Sequence, residues 1–182
     1  ILMMAKNKFP KNFSILFYLG SSYKQIVQND EALIQFRLAL KLQPEATIIW
    51  HSMALIYEDM NQYDVSDSLF SMILASDMHN AMDMNDYAYI ISERESSTTE
   101  DLEFALSLAK KAIGLDPTNS MIMDTLGWIY FQMGESNLAL EHLQNSIENV
   151  RCSMWPTPPL TIAVTVLTPN DQTFTTCYLF SL

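Results

Sequence analysis

A chain of 182 residues with 49% hydrophobic residues is long and apolar enough to form one domain with a substantial core. Its formal net charge of −11 argues against nucleic acid or an anionic membrane as the main partner, because phosphate binding requires clustered Lys and Arg. The apolar runs stay far below the roughly 20 residues of a membrane-spanning helix, so no membrane span is predicted.

The first element in the chain is an amphipathic helix over residues 12–26, where apolar side chains recur at three- and four-residue steps (Ile15, Leu19, Tyr23). A second helix is predicted over residues 31–42, after a polar turn at residues 28–30 that supplies a helix N-cap. These helices form a first pair, which Pro44 is expected to end.

Residue types then recur along the chain at a step of 34, which widens once to 39, between Ala88 and Gly127, before it returns to 34. One insertion of five residues between Ile91 and Ala105 accounts for the wider step, and its polar sequence predicts a surface loop. Helix pairs are therefore predicted over residues 13–43, 47–77, 81–115 and 120–149. The step is defined by Pro10 and Pro44, Tyr23 and Tyr57, Phe36 and Phe70, and Ala105 and Ala139.

This pattern resembles the tetratricopeptide repeat, a unit of two helices with small and aromatic residues at fixed places and Pro at its end. The first unit matches in full, through Leu16, Leu19, Gly20, Tyr23, Ala32, Phe36, Ala39 and Pro44. The resemblance covers residues 1 to about 150 and implies an all-α fold, a right-handed α-α superhelix (solenoid) of about four helix pairs. The domain is expected over residues 13–150, in units 13–46, 47–80, 81–119 and 120–150.

The two ends depart from the repeat. Residues 1–12 are in phase with the end of a repeat, and the chain opens on Ile, so we expect a truncated N-terminal half-repeat. Residues 151–182 are an atypical tail, irregular or β-like, with short strands predicted at 160–167 and 173–180. Two interpretations of the tail stand side by side: sequence that is not native, such as a read in the wrong frame, or a poorly ordered tail or small hairpin.

No residues with the spacing of a catalytic or metal site occur in the sequence. The three histidines, His51, His79 and His142, lie far apart, and Cys152 and Cys177 form neither a disulfide framework nor a metal site. Without a Gly-rich phosphate loop either, the sequence predicts no catalytic, cofactor-binding or metal-binding residues and no enzyme.

The resemblance implies a concave groove lined by the first helix of each pair. The large side chains at its predicted positions have two interpretations: they contact neighbouring first helices and only line the superhelix, or they form an exposed apolar trough, with acidic residues around it, for a partner. A basic clamp for a peptide carboxylate is not expected, because the matching positions carry no Lys or Arg. The predicted groove residues are Phe17, Ser21, Lys24, His51, Leu55, Glu58, Asn85, Tyr89, Ser92, Asp124, Trp128 and Phe131.

The functional hypothesis is a non-catalytic scaffold or adaptor that binds another protein, as a peptide or helix with apolar anchors and basic flanks. The alternatives are the regulatory repeat arm of a larger enzyme, a bacterial envelope lipoprotein, or a module that self-associates through the exposed ends of the solenoid. Either an intracellular or a bacterial cell-envelope location fits the sequence.

Overall fold

The computed structural model describes residues 1–76, 80–154, 165–167 and 173–174. The prediction of an all-α repeat fold is confirmed. Within the described residues the helices are α1 (Leu2–Lys8), α2 (Phe13–Gln25), α3 (Asn29–Leu40), α4 (Thr47–Asp59), α5 (Tyr63–Ala75), α6 (Ala81–Glu93), α7 (Thr99–Leu115), α8 (Ser120–Gln132) and α9 (Ser136–Met154).

Four helix pairs follow one another along the chain: α2 with α3, α4 with α5, α6 with α7, and α8 with α9. In each pair a short connection returns the chain, so the two helices run antiparallel. Helix α1 precedes the first pair and packs on α2. It is also tied to the second helix of that pair, since Lys6 Nζ donates to the buried Oε1 of Gln35 at 2.8 Å.

Three of the four connections within pairs are three-residue turns that contain one residue with positive φ. These residues are Val27 (58°), Asn61 (57°) and Gly134 (82°), and they occupy equivalent places in their units. A β-branched side chain is strained at positive φ, so Val27 costs the first turn some stability. The predicted turn at residues 28–30 with a side-chain N-cap is wrong: the turn is residues 26–28, and Gln28 makes no cap hydrogen bond.

The five-residue insertion lies between α6 and α7, but only part of it is loop. The connection there spans Arg94–Thr98, two residues longer than in the other pairs, and α7 starts three residues earlier than its equivalents. Thr98 caps the added turn through a capping box with Asp101, whose pKa is lowered by the hydrogen bonds it accepts from Thr98. The expectation of a purely polar loop is therefore corrected, because most of the insertion lengthens a helix.

Buried side chains form two clusters that share the second pair. One joins the first and second pairs around Phe36, which is fully buried, and the other joins the second, third and fourth pairs around Phe70. Because the second pair contributes to both clusters, the apolar core of residues 1–149 continues from pair to pair.

Small residues allow the two helices of a pair to approach closely. A Cβ built on Gly20 would lie 2.6 Å from Cε1 of Phe36, and one on Gly127 would lie 2.7 Å from Cγ of Leu143. The predicted role of Gly20 as a close-packing position is thus confirmed by geometry.

In the tail, Thr165–Leu167 pairs antiparallel with Thr173–Phe174. These strands coincide with parts of the two strands predicted for the tail, and the rest of those predictions lies outside the described residues.

Replacing Gly20 with Ala tests the close approach. Phe36 is fully buried and its ring cannot move aside, so we expect Gly20→Ala to lower the free energy of unfolding by about 1–3 kcal/mol. Gly114, in the exposed last turn of α7, is the matched control, because a Cβ there meets nothing within 4 Å. Gly114→Ala should raise stability by up to about 1 kcal/mol through helix propensity. Urea denaturation of both variants decides, and a Gly20→Ala protein as stable as wild type would contradict the packing described.

Candidate protein-binding surface

The predicted groove positions all lie on the first helices of the pairs, α2, α4, α6 and α8, but they differ widely in exposure. Tyr89 and Asp124 are exposed, whereas Asn85 and Ser92 are buried, at 5% and 2% exposure. The other positions are half-buried: Phe17, Ser21, Lys24, His51, Leu55, Glu58, Trp128 and Phe131.

Of the large groove side chains only Tyr89 is exposed, at 45%, so the others fit the interpretation that they contact neighbouring helices. Phe17 lies against the core, with its ring 6.3 Å from that of Phe36. Trp128 and Phe131 stack on each other at 5.7 Å, and Phe131 packs against the core of the third and fourth pairs. Most of the surface of each of these residues is covered because the neighbouring helices pack closely against them.

Sequence reasoning missed two exposed apolar residues of the same surface. Ile48 is 53% exposed and Met121 is 56% exposed. Each lies three residues before a predicted groove residue, His51 and Asp124 respectively, and therefore on the same face of its helix. Extending the helical face by one turn toward the N-terminus would have found both. Ile48, Tyr89 and Met121 are together called the inner face.

A polar cluster links α4 and α6. His51 Nε2 lies 3.0 Å from Oδ2 of Asp86, and Asn85 donates from Nδ2 to the other oxygen of the same carboxylate at 3.4 Å. The structure thus brings the predicted residues His51 and Asn85 together on an aspartate. Two buried polar atoms of these first helices, Oδ1 of Asn85 and Nε1 of Trp128, have no hydrogen-bond partner within the described residues.

Glu58, a predicted groove residue, is held by an arginine of the insertion. Arg94 Nη2 lies 2.5 Å from Oε1 of Glu58, and Nε donates to Oε2 at 3.2 Å. The same guanidinium donates to both oxygens of Asp67 on α5, at 2.6 and 3.2 Å, and lies 4.7 Å from the ring centroid of Tyr63. Arg94 is thereby half-buried and joins the third pair to both helices of the second, although its sequence context predicts a solvated loop.

Local electrostatics follow from this burial. Burial alone would lower the pKa of Arg94, but its hydrogen bonds to Asp67 and Glu58 and their charges outweigh burial and raise it. Burial, followed by the charge and the hydrogen bond of Asp67, raises the pKa of the Tyr87 hydroxyl, which donates to that carboxylate at 3.1 Å. The Arg94 guanidinium therefore stays charged, and the Tyr87 hydroxyl stays protonated, throughout the physiological range.

The ends of the first helices carry two further perturbed groups. Burial lowers the pKa of the Lys24 ammonium, an effect that the nearby charge of Asp59 opposes. Desolvation by the surrounding protein raises the pKa of the Asp124 carboxyl, although part of its side chain is exposed. A cation placed beside Asp124 would offset that cost and is favoured there.

Nothing in the described residues suggests metal or membrane chemistry. They contain no group of three or more His, Cys, Asp or Glu side chains placed to hold a metal ion. None of the helices among them has the length and apolarity needed to cross a membrane. His142 stacks on Tyr130 at 5.3 Å, and His79 lies outside the described residues.

Comparison with known proteins places this geometry among repeat proteins, although no protein-family model matches the sequence. BBSome complex member BBS4 of Bos taurus is 29% identical over 134 residues, which are 72% of this chain and 23% of that protein. Type IV pilus assembly protein PilF of Pseudomonas aeruginosa is 25% identical over 129 residues, covering 71% of this chain and 50% of PilF. A TPR repeat-containing protein of the same species is 25% identical over 121 residues, covering 66% and 20%.

The chain thus spans half or less of the length of each of these relatives. The solved structure of PilF superposes with a TM-score of 0.66 at 24% identity, covering 76% of this chain and 61% of that one. These likenesses confirm the superhelix of helix pairs that the sequence pattern predicts, and they support its resemblance to the tetratricopeptide repeat.

Removing Arg94 tests the bridge between the second and third pairs. Arg94→Ala leaves the carboxylates of Glu58 and Asp67 without their common partner, so we expect the free energy of unfolding to fall by about 2–3 kcal/mol. Arg94→Lys keeps the charge but loses the forked geometry and should fall between wild type and Ala. The exposed neighbour Glu95→Ala is the control and should change stability by less than about 0.5 kcal/mol. Equal stability of the Arg94 and Glu95 variants in chemical denaturation would contradict the bridge.

Proposed function

Because this chain is a tetratricopeptide-repeat protein, we propose that it is a scaffold that binds another protein through its first helices and catalyses no reaction. Its relatives suggest the fold of a protein-interaction scaffold. One of them is named as a member of the BBSome complex and another as a pilus assembly protein, which supports a role in assembly for the present chain.

One observation supports the binding site more than any other. Ile48, Tyr89 and Met121, on the first helices of three successive pairs, are each about half exposed. Apolar area left in water costs roughly 25 cal/mol per Å², so three such side chains on one layer of helices favour a covering partner. The half-buried rings of Trp128 and Phe131, stacked on each other further along α8, add apolar surface to the same helix as Met121.

The acidic residues on the first helices indicate which charge the partner carries. Asp59, Glu93 and Asp124 on the same helices are exposed, while Glu58 and Asp86 are already paired with Arg94 and His51. A peptide or helix with apolar anchors and Lys or Arg at its flanks would meet complementary charge, and an acidic competitor would be repelled. The buried positions Asn85 and Ser92 support this surface from below and contribute little direct contact.

Peptides selected from a random library on the immobilised chain provide a test that needs no known partner. We expect enriched sequences to combine apolar residues with Lys or Arg. Tyr89→Ala should weaken their binding at least tenfold, since exposed aromatic anchors contribute about 1–2 kcal/mol or more. Trp128→Ala should do the same but also lower stability, because it removes the stack with Phe131.

Ile34→Ala is the matched control for this experiment. Ile34 is 51% exposed but lies on α3, a second helix, so its variant should bind the selected peptides like wild type. Dissociation constants come from calorimetry, and circular dichroism verifies that each variant is folded. A folded Tyr89→Ala protein with unchanged affinity would refute the proposed surface.

A further inference from the structure

The second helices carry an apolar feature that the proposed inner face does not use. Val65, Phe104 and Leu138 are 39%, 47% and 38% exposed, on α5, α7 and α9. They occupy the same place in three successive units, each directly before the buried small residue that faces its paired helix: Ser66, Ala105 and Ala139. These three residues are called the outer ridge.

The repeat itself does not require an apolar residue at this place. The first unit has Glu31 there, which is exposed on α3 and precedes the buried Ala32 in the same way. A carboxylate is therefore compatible with the fold at this position. The large apolar side chains of the next three units call for an explanation other than core packing, although the ring of Phe104 also touches Tyr87 edge-on at 5.9 Å.

Acidic side chains flank the outer ridge. Asp64 and Glu103 directly precede Val65 and Phe104, and Glu135 and Glu141 lie one turn on either side of Leu138; all four are exposed. Between Tyr63 and Ala75 and between Ser136 and Asn149 the second helices contain no Lys or Arg, while α7 carries Lys110, held over the ring of Tyr130, and Lys111. The charge around the ridge therefore favours a basic partner and disfavours a second copy of this acidic chain.

The arrangement of the ridge suits a helix laid across it. Val65, Phe104 and Leu138 occupy the same place in three successive units, so they form a row that follows the order of the units. Apolar residues that recur every seven positions lie on nearly the same face of an α-helix. The apolar face of an amphipathic helix can therefore lie along this row.

We propose that the outer ridge is a second protein-binding surface, which docks a basic amphipathic helix through its apolar face. This surface is separate from the inner face and makes the chain a scaffold with two binding sides. Each side can be occupied while the other is empty, since the two lie on different helices of each pair.

The probe for this surface is a fluorescein-labelled, Ala-rich helical peptide of 22 residues with Leu at three positions seven apart and Lys at the flanking positions. Its binding is followed by fluorescence anisotropy. We expect saturable binding to the wild-type chain and at least a tenfold loss with Val65→Glu/Leu138→Glu. The added carboxylates would strengthen a purely electrostatic attraction to a basic peptide, so a loss of affinity reports the apolar contact.

Four controls make the result decisive. Ile48→Glu, on the first helix α4 and off the ridge, should bind the probe at least as well as wild type. Tyr89→Ala should bind it unchanged, which separates this surface from the inner face.

Val65→Thr/Leu138→Ala, with circular dichroism, should show a smaller loss in the same direction and guards against misfolding of the charged variant. A probe with Ser in place of its three Leu should bind at least tenfold more weakly. Equal binding of the Leu and Ser probes, or full binding by both ridge variants, would overturn the proposal.

Discussion

Stacking of neighbouring helix pairs is the interaction on which the rest of this structure depends. A single pair cannot bury its own apolar stripe, so each pair needs the next to cover it. Phe36 and Phe70, at equivalent places in the first and second units, are fully buried at the junctions with the units that follow. At the second junction Phe70 stacks on Tyr87 with ring centroids 4.6 Å apart. The apolar side chains that remain exposed are those that neither the paired helix nor the adjacent pair covers.

At the first and last junctions a cationic side chain of one pair contacts a tyrosine of a neighbouring pair, and the middle junction lacks this contact. Arg37 donates to the Tyr57 hydroxyl at 2.9 Å between the first two pairs, and Lys110 lies 5.7 Å from the ring centroid of Tyr130 between the last two. The equivalent places at the middle junction hold Ser71 and Ile91, which cannot form this contact. There Arg94 supplies the cation, from the first position of the connection between α6 and α7. Its equivalent in the second unit is Met60, so this contact is specific to the middle junction.

The sequence was enough to predict the helices, their pairing and the place of the insertion. Helical periodicity can be recognised within a dozen or so residues, and the repeat step can be recognised by comparing successive segments of the chain. It did not predict the role of Arg94, since Glu58 is 36 residues away in sequence and the contact exists only once the pairs stack. The turn at Val27 was missed because a β-branched residue rarely adopts positive φ. The sequence left open whether the groove aromatics are exposed, since periodicity identifies a helical face but not how much of it the adjacent helix covers.

The inner face is proposed as the place where a protein partner binds. Methyl NMR tests this binding most directly. In a sample labelled at the Ile δ1 and Met ε methyl groups, Ile48 and Met121 report on the inner face, while Ile34 and Met72, similarly exposed on second helices, report on the outside. On titration with a peptide selected on the chain, the account predicts shifts of Ile48 and Met121 with Ile34 and Met72 unchanged. Shifts confined to Ile34 and Met72, with the inner-face methyl groups unmoved, would contradict it.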